Sequence, residues 1–242
     1  SQAAWIDSVR GLSALSVVAL HFGQQFLGGG GSFKGLLSLL GESGVAMFFV
    51  LSGFLIHSGG LAEQRVAGKI DWGRYAIRRF SRIYPGYLCA LLVCALVAKY
   101  WQSELISPAG WLGFLAHVFL FSSFVPGESV SISGVFWTVV VECHFYALYP
   151  LLFGALRRFG ALRTFGLFIC CSVLFFVAVS LFVPPGPIRV LLQLSAPSLF
   201  WKWCIGAVLA HLYALQVVQL KSFSIRGALC AVILALLAGS QF

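Results

Sequence analysis

Apolar residues in this chain come in long unbroken runs rather than in alternation. The runs cover residues 11–27, 36–56, 83–100, 111–125, 135–153, 165–183 and 203–220, and an eighth begins at Ala228. A hydrocarbon core of about 30 Å needs roughly 20 apolar residues per helix, so most of these runs have the length of a crossing. Strands of a membrane barrel would alternate apolar and polar positions over about ten residues, whereas these runs are apolar throughout. The pattern predicts an all-α fold, a multi-span transmembrane helical bundle. The run 165–183 is the cleanest crossing. No charge lies between Arg163 and Arg189, and Pro184-Pro185-Gly186-Pro187 stops the helix. Four glycines at 28–31 make a flexible turn after the first run.

Composition agrees with that reading. Of 242 residues, 60% are hydrophobic and 10% charged, where an ordinary soluble domain carries about 25% charge. An aromatic content of 15% excludes a disordered chain. The net charge of +9, from 16 Lys+Arg against 7 Asp+Glu, raises nucleic acid as a partner, but its distribution argues against one. Arg65, Lys69, Arg74, Arg78, Arg79 and Arg82 fall between the second and third runs, where they read as a basic loop. By the positive-inside rule that loop is cytoplasmic, and so is the N-terminus. The charge excess is mainly a topology signal, and no nucleic-acid partner is expected.

One conflict stays open at this level. If 111–125 and 135–153 both cross, Arg157, Arg158 and Arg163 fall on the outer side, against the rule. The run 111–125 is short, and a re-entrant segment there would return these arginines to the cytoplasm. The chain starts at Ser1 without an initiator Met and stops at Phe242 inside an apolar run, which reads as a fragment of a longer protein. The first run holds His21 and is followed by no small-residue cleavage site, so it does not read as a signal peptide.

Ionisable groups inside a bilayer are costly and usually face the bundle interior. Arg10 and His21 are eleven positions apart, about 20° past three full turns and roughly 16 Å along the axis. They share a face, with Arg10 near the cytoplasmic edge, in reach of Asp7 one turn earlier, and His21 near mid-membrane. His21 is equally readable as a helix–helix hydrogen bonder. In the second run, Ser52-Gly53 lets another backbone approach closely. Arg78, Arg79 and Arg82 put three guanidiniums within five residues, which suits a phosphate-rich ligand as well as lipid headgroups. Glu142 lies inside an apolar run one turn before Tyr146, with which it shares a face, while His144 points elsewhere. Spacing leaves Glu142 open as a proton carrier, a partner for a buried cation such as Arg10, or an orienter of His21. Lys202, between Trp201 and Trp203, reads as an interfacial anchor. His57, His117 and His211 have no carboxylate or Cys at metal-ligand spacing, the seven Cys form no C-x-x-C pair, and no metal is expected.

In their order along the chain these features resemble the acyltransferase-3 family of membrane acyltransferases. Ile6-Asp7-Ser8-Val9-Arg10-Gly11-Leu12, with His21 eleven residues after Arg10, is similar to that family's opening. Phe48-Phe49-Val50-Leu51-Ser52-Gly53-Phe54-Leu55-Ile56 resembles its second-helix motif, and Arg78-Arg79-Phe80-Ser81-Arg82-Ile83-Tyr84-Pro85 its cytoplasmic arginine motif. Trp137-Thr138 through Glu142, then Phe145-Tyr146 and Tyr149-Pro150, resembles its tryptophan–glutamate helix. The likeness covers residues 6–150. It implies a single acyltransferase domain over 1–242 with about seven or eight of about ten helices. It also implies transfer of an acyl group, acetyl above all, from a coenzyme A thioester to a hydroxyl of a carbohydrate, lipid or small molecule. Two departures stand out. Ala46 replaces an acidic residue common before the paired phenylalanines, and Cys143-His144 replace the more usual acidic or aromatic residue and Gln. The second departure bears on acceptor specificity.

Carried over residue by residue, the likeness makes His21 the base for the acceptor hydroxyl or a transient acyl carrier. Arg78, Arg79, Arg82 and Arg10 would meet the phosphates of acyl-CoA, and Glu142 would orient His21 or balance an arginine. The expected setting is a multi-pass protein of the plasma (inner) membrane, with lipids and a carbohydrate or lipid-linked acceptor as partners. A proton-coupled transporter or a non-catalytic export subunit built on the same buried polar residues is the alternative.

Overall fold

The computed structural model describes residues 2–26, 31–102, 108–127, 132 and 134–215. Among them are eight α-helices: α1 (Gln2–Phe26), α2 (Gly31–Ala67), α3 (Trp72–Gln102), α4 (Pro108–Val118), α5 (Phe136–Phe159), α6 (Ala161–Phe182), α7 (Pro187–Gln193) and α8 (Ala196–Ala214). A single 3-10 turn, Ser122–Phe124, follows α4, and no strand occurs among the described residues. Gly35–Ala67, Trp72–Val97, Phe136–Phe159 and Ala161–Phe182 are long and apolar enough to cross a membrane. The all-α, multi-span expectation is borne out. The eighth apolar run lies outside the described residues.

The basic loop of the sequence reading needs correction. Arg65 is in the last turn of α2, and α3 starts at Trp72, so Arg74, Arg78, Arg79 and Arg82 sit on the first turns of a membrane-crossing helix. Asp71 starts that helix. Its Oδ1 accepts the Arg74 backbone N–H at 2.9 Å, satisfying one of the donors a helix start leaves unpaired. That bond, more than the nearby Arg74 charge, holds the Asp71 carboxyl below its ordinary range. Its contribution is therefore present above the ordinary carboxylate pKa and is lost as pH falls through the lowered value.

The chain divides into two compact units, Ser1–Val66 with Lys202–Phe242, and Ala67–Trp201. In the first, α1 lies antiparallel on α2 through small residues. Gly44 sits against Ser16 and the Ser13 carbonyl, Gly41 against Leu20, and Gly23 against Leu37. α2 meets α8 where Gly53 lies against the Trp203 carbonyl and Gly206 against the Val50 carbonyl. The close approach expected at Gly53 is thus real, and α8 answers it with a glycine of its own. Further along both helices His57 pairs with His211, and Arg65 donates to the Ala214 carbonyl. Pairings that advance together along both helices make α2 and α8 parallel.

In the second unit α3 and α5 are antiparallel. Trp72 packs edge-on to Tyr149 and Phe153, Tyr75 donates to the Tyr146 carbonyl, and Tyr87 packs edge-on to Phe136. α4 is antiparallel to α3 too, since Tyr84 and Tyr87 donate to the carbonyls of Val118 and His117, while Phe114 packs in a cluster with Leu91. α4 therefore runs in the direction of α5 and ends at the level where α5 begins. With 11 residues it spans about 16 Å, half a bilayer. The question left open by sequence is answered by a third arrangement, in which α4 and α5 are successive parts of one interrupted path. Gly160, at φ 78°, then turns α5 directly into α6, a conformation glycine adopts without the Cβ penalty.

Candidate functional site

α1 presents His21 half-buried, in the turn after the Leu20–Gly41 contact and so level with the first third of α2. Arg10 belongs to the same helix, but its side chain, like that of Asp7, lies outside those described. Within this unit the structure also brings Glu42 of α2 into electrostatic attraction with Lys202 of α8. Sequence reasoning passed over Glu42, although a carboxylate inside the apolar run 36–56 was the available signal. Lys202 itself is half-buried, and Glu42 lies within its electrostatic reach.

Deeper along α2, His57 is fully buried, and its Nε2 lies 3.1 Å from His211 Nδ1 with the rings stacked. One of these nitrogens carries the shared hydrogen. This pair holds α2 to α8, and a double-mutant cycle measures it. His57→Leu and His211→Leu are each expected to lower thermal stability, with the double variant losing less than the sum by about 1 kcal/mol. Additive losses in the unfolding midpoints would show that the pair contributes nothing.

In the second unit the three motif arginines separate. Arg78 and Arg82 are exposed, while Arg79 is half-buried. The Arg79 guanidinium lies over the Tyr75 ring at 5.8 Å, and its buried Nε has no hydrogen-bond partner. Tyr75, Arg79 and Arg82 follow at helical spacing, and Tyr87 continues the face that meets α5. Arg79 and Arg82 therefore stand level with the part of α5 that carries Glu142. The Glu142 Oε1 accepts the Tyr146 hydroxyl at 2.6 Å, the bond their spacing allowed. His144 does point elsewhere, donating from Nε2 to the Leu120 carbonyl at 3.0 Å. Glu142 and the arginines share one unit, and His21 belongs to the other.

A buried arginine nitrogen without a partner, steadied by an aromatic face, is prepared for an anion. A carboxylate and an imidazole are prepared for proton transfer and for orienting hydroxyls. No group of three or more His, Cys, Asp or Glu that could hold a metal ion occurs among the described residues.

Comparison with known proteins gives one family match, described as an acyltransferase domain, over residues 3–242. The acyltransferase MdmB of Streptomyces mycarofaciens is 30% identical over 161 residues, covering 63% of this chain and 40% of MdmB. The peptidoglycan O-acetyltransferase OatA of Listeria monocytogenes is 25% identical over 60% of this chain and 23% of its own length. The O-acetyltransferase OatA of Staphylococcus aureus is 26% identical over 60% and 24%. The chain thus spans well under half of each of these relatives. No solved structure matches it.

Proposed function

This chain belongs to the acyltransferase-3 family, and from that premise we propose that it is a membrane O-acyltransferase moving an acetyl group from acetyl-CoA to a carbohydrate hydroxyl. The observation that carries the donor side is Arg79, its guanidinium over Tyr75 and its buried Nε unpartnered. A phosphate of the donor supplies the missing acceptor atoms, while the exposed Arg78 and Arg82 engage further phosphate oxygens at the entrance. Arg10 is a further candidate for that role. The carbohydrate acceptor is suggested by the relatives whose names include peptidoglycan O-acetyltransferase.

The reaction balances simply. His21 takes the proton of the acceptor hydroxyl as its oxygen attacks the thioester carbonyl. The carbon–sulfur bond breaks, and the thiolate leaves and is protonated to free coenzyme A. An acyl group carried briefly on His21 gives the same balance in two steps. Glu142, held by Tyr146, stands level with Arg79 and Arg82, and its role is to balance an arginine.

Direction of the helices supports donor entry from the cytoplasm. Within the second unit α3 and α5 are antiparallel, so Arg157 and Arg158 at the end of α5, and Arg163 just after it, lie at the same end as Lys69 and Arg74 at the start of α3, as the positive-inside rule asks. That side is the cytoplasm, with the N-terminus on it, in the plasma membrane.

The test is a transfer assay on the intact protein in membranes, with acetyl-CoA and a panel of carbohydrate acceptors. Arg79→Ala is expected to raise the apparent KM for acetyl-CoA roughly tenfold or more, by loss of a charge-assisted contact. An unchanged donor KM would remove the phosphate-binding role. Substrate flux without any thioester would instead identify a transporter.

A further inference from the structure

His144 carries a hydrogen-bonding nitrogen that the mechanism above does not use. Its Nε2 lies 3.0 Å from the Leu120 carbonyl oxygen. A carbonyl only accepts, so Nε2 carries a proton, and in the neutral imidazole Nδ1 is then a bare lone pair. Nδ1 is buried and has no hydrogen-bond partner. Ser123, in the turn that follows Leu120, is 2% exposed, and its Oγ also lacks a partner. The exposed Phe124 ring lies 5.1 Å from the imidazole.

The backbone around these groups is unusual for a membrane crossing. Leu120 has φ 60°, the left-handed conformation that a residue with a Cβ avoids, and its carbonyl is the one that orients His144. The segment from Leu120 to Val125 interrupts the path between α4 and α5. In a bilayer, non-helical backbone persists only where protein buries it or where it lines a polar cavity.

We propose that His144 Nδ1 and Ser123 Oγ form a hydroxyl-binding subsite that selects a polyhydroxylated acceptor, a carbohydrate. An acceptor O–H donates to Nδ1, the Ser123 hydroxyl pairs with a neighbouring oxygen, and Phe124 offers an apolar face beside them. Buried polar atoms that stay unpaired with any other ligand reject acceptors lacking these hydroxyls. No covalent step occurs at His144. It rests on the O-acyltransferase reading and adds the residues that choose its acceptor. Glutamine in place of His144 separates the two roles of the ring. A Gln amide can still donate to Leu120, but it places no acceptor atom where Nδ1 stands. His144→Gln therefore keeps the anchor and removes the subsite.

The intact protein in lipid nanodiscs provides the test. With acetyl-CoA as donor, His144→Gln and Ser123→Ala are each expected to raise the acceptor KM roughly tenfold. The donor KM, kcat and melting temperature should stay near wild type. An unchanged acceptor KM in a folded His144→Gln variant overturns the subsite and leaves the enzyme reading standing. If wild type transfers to no acceptor, the enzyme reading fails instead, and thermal shifts with glucose, N-acetylglucosamine and glycerol then decide the subsite. A wild-type shift with the sugars that His144→Gln abolishes supports it. The absence of any wild-type shift, or a shift the variant retains, overturns it.

Discussion

His21→Ala is expected to lower acetyl transfer by about 10³-fold or more, within the range for removing a general base or nucleophile, while the protein stays folded. The fold should survive because α1 is held on α2 by other residues. Ser13, Ser16 and Leu20 meet Gly44 and Gly41, and Leu37 meets Gly23. His21 is half-buried and is not one of these contacts. The measurement is the rate of acetyl-ester formation in membranes at saturating acetyl-CoA, alongside the melting temperature of purified protein. The loss should appear in kcat, with the donor KM near wild type, because the phosphate-facing arginines are untouched. Near wild-type rates in a folded His21→Ala variant would exclude the residue as base or acyl carrier.

Gly206→Ala is expected to have the largest effect on stability. A Cβ at this position would overlap the Val50 carbonyl oxygen and approach the Phe54 backbone nitrogen to 2.8 Å. Neither obstacle is a side chain that can rotate away, so α2 and α8 must move apart. Overpacking typically costs about 1–3 kcal/mol, and with backbone as the obstacle the upper end of that range is expected. The separation also strains the His57–His211 hydrogen bond further along the same two helices. Gly53→Ala, facing the Trp203 carbonyl, should behave alike. Gly59→Ala is the control, since nothing lies within 4 Å of a Cβ there, and alanine favours the helix. Equal thermal unfolding of Gly206→Ala and Gly59→Ala would show that the two backbones are not in contact.

Much of this architecture was legible because the bilayer leaves few options. Uninterrupted apolar runs of crossing length must be helices, and Pro184 with its neighbours had to end α6. The pairing of Glu142 with Tyr146 was readable because one helical turn links them whatever surrounds the helix. The start of α3 was not. Four charges in nine residues looked like a loop, and only the Asp71 cap and the burial of Tyr75 against α5 extend the helix back to Trp72. Hydropathy measures how water receives each residue. It is silent on a cation that rests on a tyrosine ring.

The candidate site divides along the same line. Motif order carried the resemblance to the family, the role expected of His21 is what that resemblance implies, and the arginine cluster is legible because it is a matter of residue type and spacing. Separating Arg79, turned inward, from the exposed Arg78 and Arg82 required the helix to be seated on its neighbour. The bare nitrogen of His144 depends on a carbonyl 24 positions away, and the attraction between Glu42 and Lys202 joins helices at opposite ends of the described chain. Local sequence carries the information for periodicity, capping and one-turn pairs, since those interactions act within a few residues. Which polar atoms end up partnered is set by contacts between distant segments, and that comes only from packing.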